Sequence, residues 1–230
     1  MATPGKTAGA AAAVAAAGGT TNPLLAALIA WMKAHRQTVS WIVTVLAIAA
    51  ALGAWSLMSG RQTEARAARD LVAARLAFES RNYPLAGSEL SRIAENYSGT
   101  RSAEEATLLL AQVRLWQGQS QLAVEQLARF APRASRDYQA QAYGLLGAAY
   151  ENLGRLREAG ETYESAAKAA GMPFLRAQYL SDAGRAWVAA GDTAKGLTDY
   201  REIVTKLDST GTVTEAKVRI GELTRGSGLP

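Results

Sequence analysis

The chain has 230 residues, of which 49% are hydrophobic and 20% are charged, so it has room for one ordinary domain with an appendage and is not disordered throughout. It contains no cysteine and a single histidine, His35, which excludes disulfides, thiol nucleophiles, a catalytic histidine in a folded core and histidine-rich metal sites. Residues 1–60 hold three basic residues and no acid, whereas residues 61–230 hold 22 basic and 20 acidic residues. The charge of the larger part is too balanced to favour nucleic acid as a partner.

The segment 1–38 is predicted to be a disordered, alanine-rich tail with a short apolar run near its end. Eight of the ten residues at 8–17 are alanine, but no buried face is marked, so an isolated helix there would be marginal in water. The apolar run at 24–32 is too short to span a bilayer. It either lies at the membrane interface, with Trp31 at headgroup depth, or leads loosely into the next helix.

Residues 39–58 form the clearest single feature of the sequence, a run of twenty residues without a charge. As a helix this run would be about 30 Å long, which is the thickness of a hydrocarbon core. Trp41 and Trp55 would then lie near its two ends, where indole rings favour the interface. A cleaved signal peptide is the competing interpretation, but its apolar stretch would be about 7–15 residues after a short charged region. We therefore predict an uncleaved, single-pass transmembrane helix.

The flanking charges do not determine the orientation of this helix. Two basic residues, Lys33 and Arg36, lie shortly before the run and three follow it, and long domains can translocate largely regardless of charge. Small residues four apart, such as Ala49 and Gly53, could form a helix-packing face. Such a face would let two copies of the helix pack together, so a homo-oligomer is one arrangement that the sequence allows.

From residue 61 onwards the sequence has the pattern of short helices. Apolar residues recur three and four apart, and the alternation typical of a strand is absent. The segment 140–173 places small, aromatic and turn residues at fixed intervals: Leu146, Gly147, Tyr150, Gly154, Ala159, Tyr163, Ala166 and Pro173. This pattern resembles the tetratricopeptide repeat, a helical hairpin of about 34 residues with small and aromatic residues at fixed positions.

The same pattern recurs 36 or 37 residues before and after this segment. A small residue in each helix of a hairpin lets the two helices approach closely, and an aromatic residue fills the seam beside them. The small positions are Ala74, Ala111, Gly147 and Gly184 in the first helices and Ala86, Ala123, Ala159 and Gly196 in the second helices. The turn glycines Gly118, Gly154 and Gly191 share this register.

The repeats are degenerate, since the first has Arg81 and Asn82 at its turn and the first two lack the aromatic residue of the first helix. The sequence predicts an all-α fold, in which the transmembrane helix is followed by an α-solenoid of about four such hairpins and a C-terminal capping helix. The predicted units lie at about 67–99, 104–133, 140–173 and 177–210, within a repeat domain at 61–225, and the capping helix lies at 212–225.

The sequence contains no pattern that points to an enzyme, a cofactor or a metal site. Nucleotide-binding loops, nucleophile elbows and metalloprotease signatures are absent. Glu104 and Glu105 are adjacent, so on a helix they point about 100° apart and make a poor acid–base pair. They are better explained as first-turn acids favoured by the helix dipole.

The resemblance to tetratricopeptide repeats implies a protein-binding groove lined by the first helices. The carboxylate-clamp version of this groove needs lysine and asparagine at particular positions, which this chain lacks, so capture of a C-terminal carboxylate is not supported. The groove residues predicted from the register are Leu71, Arg75, Phe78, Leu108, Gln112, Leu115, Trp116, Gln141, Ala148, Glu151, Asn152, Gln178, Ser181, Arg185 and Val188.

The layout of the chain also resembles the bacterial family of YfgM-like ancillary translocon subunits, whose repeat domain is related to that of cell-division coordinators. The resemblance rests on the uncharged run, the alanine- and arginine-rich stretch at 65–69 and the repeats. It implies a cytoplasmic tail, a periplasmic repeat domain at the inner membrane, and the Sec translocon or periplasmic chaperones as partners. Two other functions stay open: a structural accessory subunit of another membrane complex, and a scaffold that faces the cytoplasm.

Overall fold

The computed structural model describes residues 31–32, 34–208 and 210–226, and the regular structure within these ranges is entirely helical. The all-helical fold that the periodicity predicts is therefore confirmed for the described part of the chain. The chain divides into two compact units, residues 1–59 and residues 60–230. The alanine-rich stretch at 8–17 and most of the apolar run at 24–32 lie outside the described residues.

The first described helix, α1, extends from Arg36 to Glu79 and contains the uncharged run at 39–58. It does not end where that run ends, because residues 59–66 contain no proline and include arginine, glutamine, glutamate and alanine, which favour helix. Within the described ranges, α1 is the one helix long and apolar enough to cross a membrane. Its most apolar window of 18 residues has a mean hydropathy of 2.0, and no residue of that window is buried in protein.

The other described helices are short and follow one another as antiparallel neighbours joined by tight turns. From α2 onwards, each helix packs against the next along the chain. Their bounds are α2 Tyr83–Asn96, α3 Arg101–Trp116, α4 Ser120–Phe130, α5 Arg136–Asn152, α6 Leu156–Ala169, α7 Pro173–Ala189, α8 Thr193–Lys206 and α9 Val213–Thr224, with a short 3-10 helix at Ala131–Arg133.

The small residues of the predicted register lie where the helices of each hairpin meet, and all eight are buried. A Cβ atom at Gly147 would lie 2.7 Å from ring atoms of Tyr163, and one at Gly184 would lie 2.8 Å from Cζ of Tyr200. In the first two hairpins, a smaller leucine stands where the third has Tyr163, and an alanine stands where the third has Gly147. The pairs are Ala74 with Leu90 and Ala111 with Leu127. The size of the small residue is therefore matched to the side chain that faces it.

Residues with positive φ reverse the chain between the two helices of each hairpin. Gly118 and Gly154 have φ of +72° and Gly191 has φ of +82°, a conformation in which a Cβ atom is unfavourable. Arg81 occupies the equivalent turn of the first hairpin with φ of +60°. The first hairpin therefore keeps the turn geometry of the others although it lacks the glycine.

The last helix, α9, covers the apolar side of the fourth hairpin. Ala216 and Ile220 of α9 are buried in one cluster with Tyr200 and Ile203 of α8. A stack of hairpins leaves its final apolar face open unless a further element covers it. The packing of α9 is that of a capping helix.

Candidate protein-interaction surface

Ion pairs connect the first helices of successive hairpins along one surface of the repeat unit. Arg75 of α1 pairs with Glu105 of α3, and Glu151 of α5 pairs with Arg185 of α7. The paired residues are 30 and 34 positions apart in sequence and belong to different hairpins, so the two ion pairs link neighbouring hairpins. They hold charged side chains in defined positions on a partly solvated surface, where each pair contributes up to about 1 kcal/mol of stability.

The two adjacent acids of α3 have separate structural roles. Glu104 accepts hydrogen bonds from the backbone N–H of Ser135, at 3.0 Å, and from the Ser135 hydroxyl, next to the start of α5. Glu105 forms the ion pair with Arg75. Glu104 lies in the first turn of α3, where the helix dipole favours an acid.

Twelve of the fifteen predicted groove residues have surface that a partner could contact. Three predicted residues are buried instead and do not belong to an exposed surface. The exposed residues are Arg75, Trp116, Gln141, Asn152, Gln178 and Arg185; the half-buried residues are Phe78, Gln112, Leu115, Ala148, Glu151 and Val188; the buried residues are Leu71, Leu108 and Ser181.

The burial of these three residues corrects the predicted groove and follows from the packing of the first helices. Leu71 lies in the core cluster of the first hairpin, and Leu108 lies in the cluster between α3 and α4. Ser181 of α7 is 7% exposed. An internal first helix packs both on its own second helix and on the second helix of the preceding hairpin, so only a narrow strip of its surface stays open.

Three aromatic rings form a partly exposed group at the turn end of the first two hairpins, here termed the aromatic cluster: Phe78, Tyr83 and Trp116. The rings of Phe78 and Trp116 are stacked with centroids 5.0 Å apart, and the ring of Tyr83 lies 5.3 Å from that of Trp116. Trp116 is 58% exposed. The register predicted Phe78 and Trp116, but it missed Tyr83, which begins the second helix. The sequence contains one signal for this contact, because Tyr83 comes directly after the turn at Arg81 and Asn82 that follows Phe78.

A second group, here termed the ionic cluster, lies on α5, α6 and α7 and comprises Glu151, Tyr163, Asp182 and Arg185. Arg185 contacts both carboxylates, and the Tyr163 hydroxyl donates to Glu151 Oε2 at 3.1 Å. The hydrogen bond to Glu151 raises the pKa of Arg185, and burial raises the pKa of Tyr163 above its usual range. The guanidinium and the phenol therefore keep their protons at neutral pH.

Asp199 of α8 is a buried acid outside both clusters, and sequence reasoning did not identify it. It is 6% exposed, and its Oδ2 atom is buried without a hydrogen-bond partner. Burial, with smaller contributions from the nearby charges of Glu164 and Glu202, raises the pKa of the Asp199 carboxyl from 3.8 to about 7. A carboxyl group in this state is neutral in mildly acidic solution and becomes charged near neutral pH.

This raised pKa predicts that the stability of the protein falls as the pH rises. The folded state holds the Asp199 proton more tightly than the unfolded state, so the stabilisation is complete below about pH 4 and is lost progressively up to about pH 7. We expect Asp199→Asn to raise the free energy of unfolding by about 1–2 kcal/mol at pH 8 and to change it little at pH 4. Urea unfolding of both proteins across this pH range measures the difference, and a gap that does not depend on pH would contradict the assignment.

Comparison with known proteins supports the architecture described above. The family model of the tetratricopeptide repeat-like domain matches residues 60–178, slightly more than half of the chain. Two crystal structures of the nearly identical TPR-like repeats of a candidate kinesin light chain from Podosopora anserina have a similar fold. One is 19% identical with a TM-score of 0.56, and a point variant is 17% identical with a TM-score of 0.55. Each comparison covers 72% of this chain and 88% of the other. None of the curated proteins matches the chain significantly.

Proposed function

Because the chain belongs to the tetratricopeptide repeat-like domain family, we propose that it is a membrane-anchored scaffold that binds proteins through its aromatic cluster and the neighbouring surface of its first helices. The observation that carries this proposal is the exposure of Trp116, whose ring stacks on Phe78 and contacts Tyr83 in a preformed aromatic cluster. Tryptophan and tyrosine dominate the energetics of protein interfaces, because they bury a large area at a small cost in conformational entropy. The ion pairs along the same surface would set the orientation of a partner.

Membrane anchoring through residues 39–58 is supported by the exposure of large apolar side chains in α1. Trp41, Leu46, Trp55 and Leu57 are each between 63% and 70% exposed. Such an apolar surface is unfavourable in water, and burial in a bilayer would remove it from water. No charged residue interrupts this stretch. A charge there would make insertion into the bilayer costly.

We assign the repeat unit to the periplasmic side of a bacterial inner membrane by its resemblance to YfgM-like ancillary translocon subunits. On this assignment the partners are components of the Sec translocon or periplasmic chaperones. We expect alkaline phosphatase fused after Pro230 to be active in cells, because this enzyme folds only when it is exported. An inactive fusion, together with an active cytoplasmic reporter at the same position, would support the scaffold of opposite topology.

The partner-binding role predicts a specific effect of Trp116→Ala. A photo-crosslinking residue at Asn152, the exposed position 36 residues after Trp116 in the repeat register, is expected to form partner adducts in intact membranes. Trp116→Ala should reduce adduct formation about tenfold or more, because the loss of a central aromatic anchor costs about 2 kcal/mol or more of binding free energy. Adducts are identified by mass spectrometry and quantified against the amount of full-length protein in the membrane.

The matched control is the same crosslinking residue at Glu161, an exposed position of α6 on the second helices. It should form no such adducts. Equal adducts from both positions, or adducts that Trp116→Ala leaves unchanged, would contradict binding at this surface. If partner capture survives Trp116→Ala but is lost when the chain is truncated before Arg61, the alternative of an accessory subunit that binds through its membrane helix is favoured.

A further inference from the structure

Asp199 occupies a repeat position whose side chain receives a hydrogen bond in the second hairpin. The second and the fourth hairpins are offset by 73 residues, two repeats of 36 and 37. Asp199 therefore corresponds to Gln126, and Trp187 corresponds to Arg114. In the second hairpin, Arg114 donates to Gln126 Oε1 at 2.6 Å. In the fourth hairpin, Trp187 has replaced this donor and its indole N–H is engaged elsewhere. The carboxylate of Asp199 therefore has no internal donor where the equivalent amide has one.

Asp199 lines a cavity of about 290 Å³ between α6, α7 and α8. Two other acids line the same cavity, and both have partners. Glu164 accepts the indole N–H of Trp187 at 2.8 Å, and Glu202 pairs with Arg176. Among the acids that line the cavity, Asp199 is the one with a buried carboxylate oxygen, Oδ2, that has no hydrogen-bond partner.

Two lysines, Lys168 and Lys195, also line the cavity. The Nζ atom of Lys195 lies 3.7 Å from the centroid of the Trp187 ring, in a cation–π contact. Lys168 lies on α6 and affects Asp199 only as a more distant charge. The Asp199 carboxylate is costly when it is ionised, and a ligand that donated a hydrogen bond to it would lower that cost.

We propose that the cavity between α6, α7 and α8 binds a primary ammonium group, with the Asp199 carboxylate as its acceptor. An ammonium group offers three donors and one positive charge, which match the one unpaired carboxylate of the cavity, since Glu202 is already paired with Arg176 and Lys195 lies against the Trp187 ring. The volume accommodates a short alkylamine or a lysine side chain and is below that of most ligand pockets. Within the described ranges, no set of side chains is arranged to hold a metal ion.

The ammonium group has two sources, a free small amine or the lysine side chain of a protein. Both present the same chemistry to Asp199, and the test distinguishes them. The site uses no residue of the aromatic cluster or of the ionic cluster. Its presence is therefore independent of the function proposed above, and either can fail alone.

The test measures binding to the full-length protein in detergent micelles by NMR at pH 8, where the Asp199 carboxyl is largely ionised. The signal is the indole N–H resonance of Trp187, identified by its loss in Trp187→Phe, since this group borders the cavity through Glu164. The probes are n-butylammonium chloride and, as the neutral control, n-butanol, both at constant ionic strength. We expect n-butylammonium to shift the resonance in a saturable manner, and n-butanol to leave it unchanged.

Asp199→Asn should weaken n-butylammonium binding at least about tenfold, because it removes the charge but keeps the shape of the side chain. Asp208→Asn changes an exposed acid near the end of the same hairpin and should leave binding unchanged. Equal responses to n-butylammonium and n-butanol, or unchanged affinity in Asp199→Asn, would overturn the proposal. Binding that appears only in Lys195→Met would also overturn it, because Lys195 would then be the natural partner of Asp199.

A capped pentapeptide with lysine at the centre of four glycines, and its norleucine counterpart, separate the two sources. If the lysine peptide binds at least as tightly as n-butylammonium, the ligand is a protein side chain. If n-butylammonium binds and the lysine peptide does not, the ligand is a free amine. Absence of a shift with both ammonium probes refutes the site.

Discussion

Replacing Trp187 with alanine is expected to lower the free energy of unfolding by about 3–5 kcal/mol, the usual cost of deleting a large buried aromatic side chain. Trp187 is 1% exposed and packs in the core between the third and fourth hairpins with Ala159 and Tyr163. A Cβ atom at Gly160 would lie 2.7 Å from its ring, so the helix backbone itself lies against the indole. The substitution leaves a cavity between two hairpins and removes the hydrogen bond to Glu164.

Trp116→Ala is the matched control, because it removes the same side chain from an exposed position. Trp116 is 58% exposed, so its loss should lower the free energy of unfolding by less than about 1 kcal/mol. Urea unfolding followed by far-UV circular dichroism measures both effects. Similar losses in the two variants would contradict the buried position of Trp187.

Gly147→Ala is expected to destabilise the repeat unit by about 1–3 kcal/mol, although alanine is the better helix former. The added methyl group would lie 2.7 Å from ring atoms of Tyr163, which is 4% exposed and cannot move into solvent. The helices would have to separate or the ring would have to leave its rotamer. The overpacking cost therefore exceeds the gain of up to about 1 kcal/mol from helix propensity.

Two further variants test whether the clash with the ring is the cause. Combining Gly147→Ala with Tyr163→Leu should cost less than the sum of the two single effects, by at least about 0.5 kcal/mol. The pair then matches Ala111 with Leu127 of the second hairpin. Gly87→Ala should be neutral or stabilising, because its Cβ atom would meet only Val113 at 3.6 Å. Strict additivity, or equal destabilisation by Gly87→Ala, would show that backbone effects and not packing are responsible.

The helical hairpins could be predicted because their signals are local or repeat at a fixed spacing. Positions where two helices cross tolerate only small side chains, so Ala86 and Ala159 mark a crossing in the sequence itself. The interaction surface could not be predicted residue by residue. Periodicity shows that Leu108 and Gln112 lie one turn apart on the same helix, but it does not show that packing buries one of them fully and leaves the other half-buried.

By itself, the amino-acid sequence determined that the chain is helical from residue 61 onwards, that its hairpins repeat, and that a run of twenty uncharged residues precedes them. These properties follow from composition and from spacings within a few turns of helix. Only the tertiary structure decided that the exposed ring of Trp116 meets Phe78 and Tyr83, and that Asp199 is buried without a donor. Such properties depend on distances between side chains of different helices, which packing sets and which no single segment encodes.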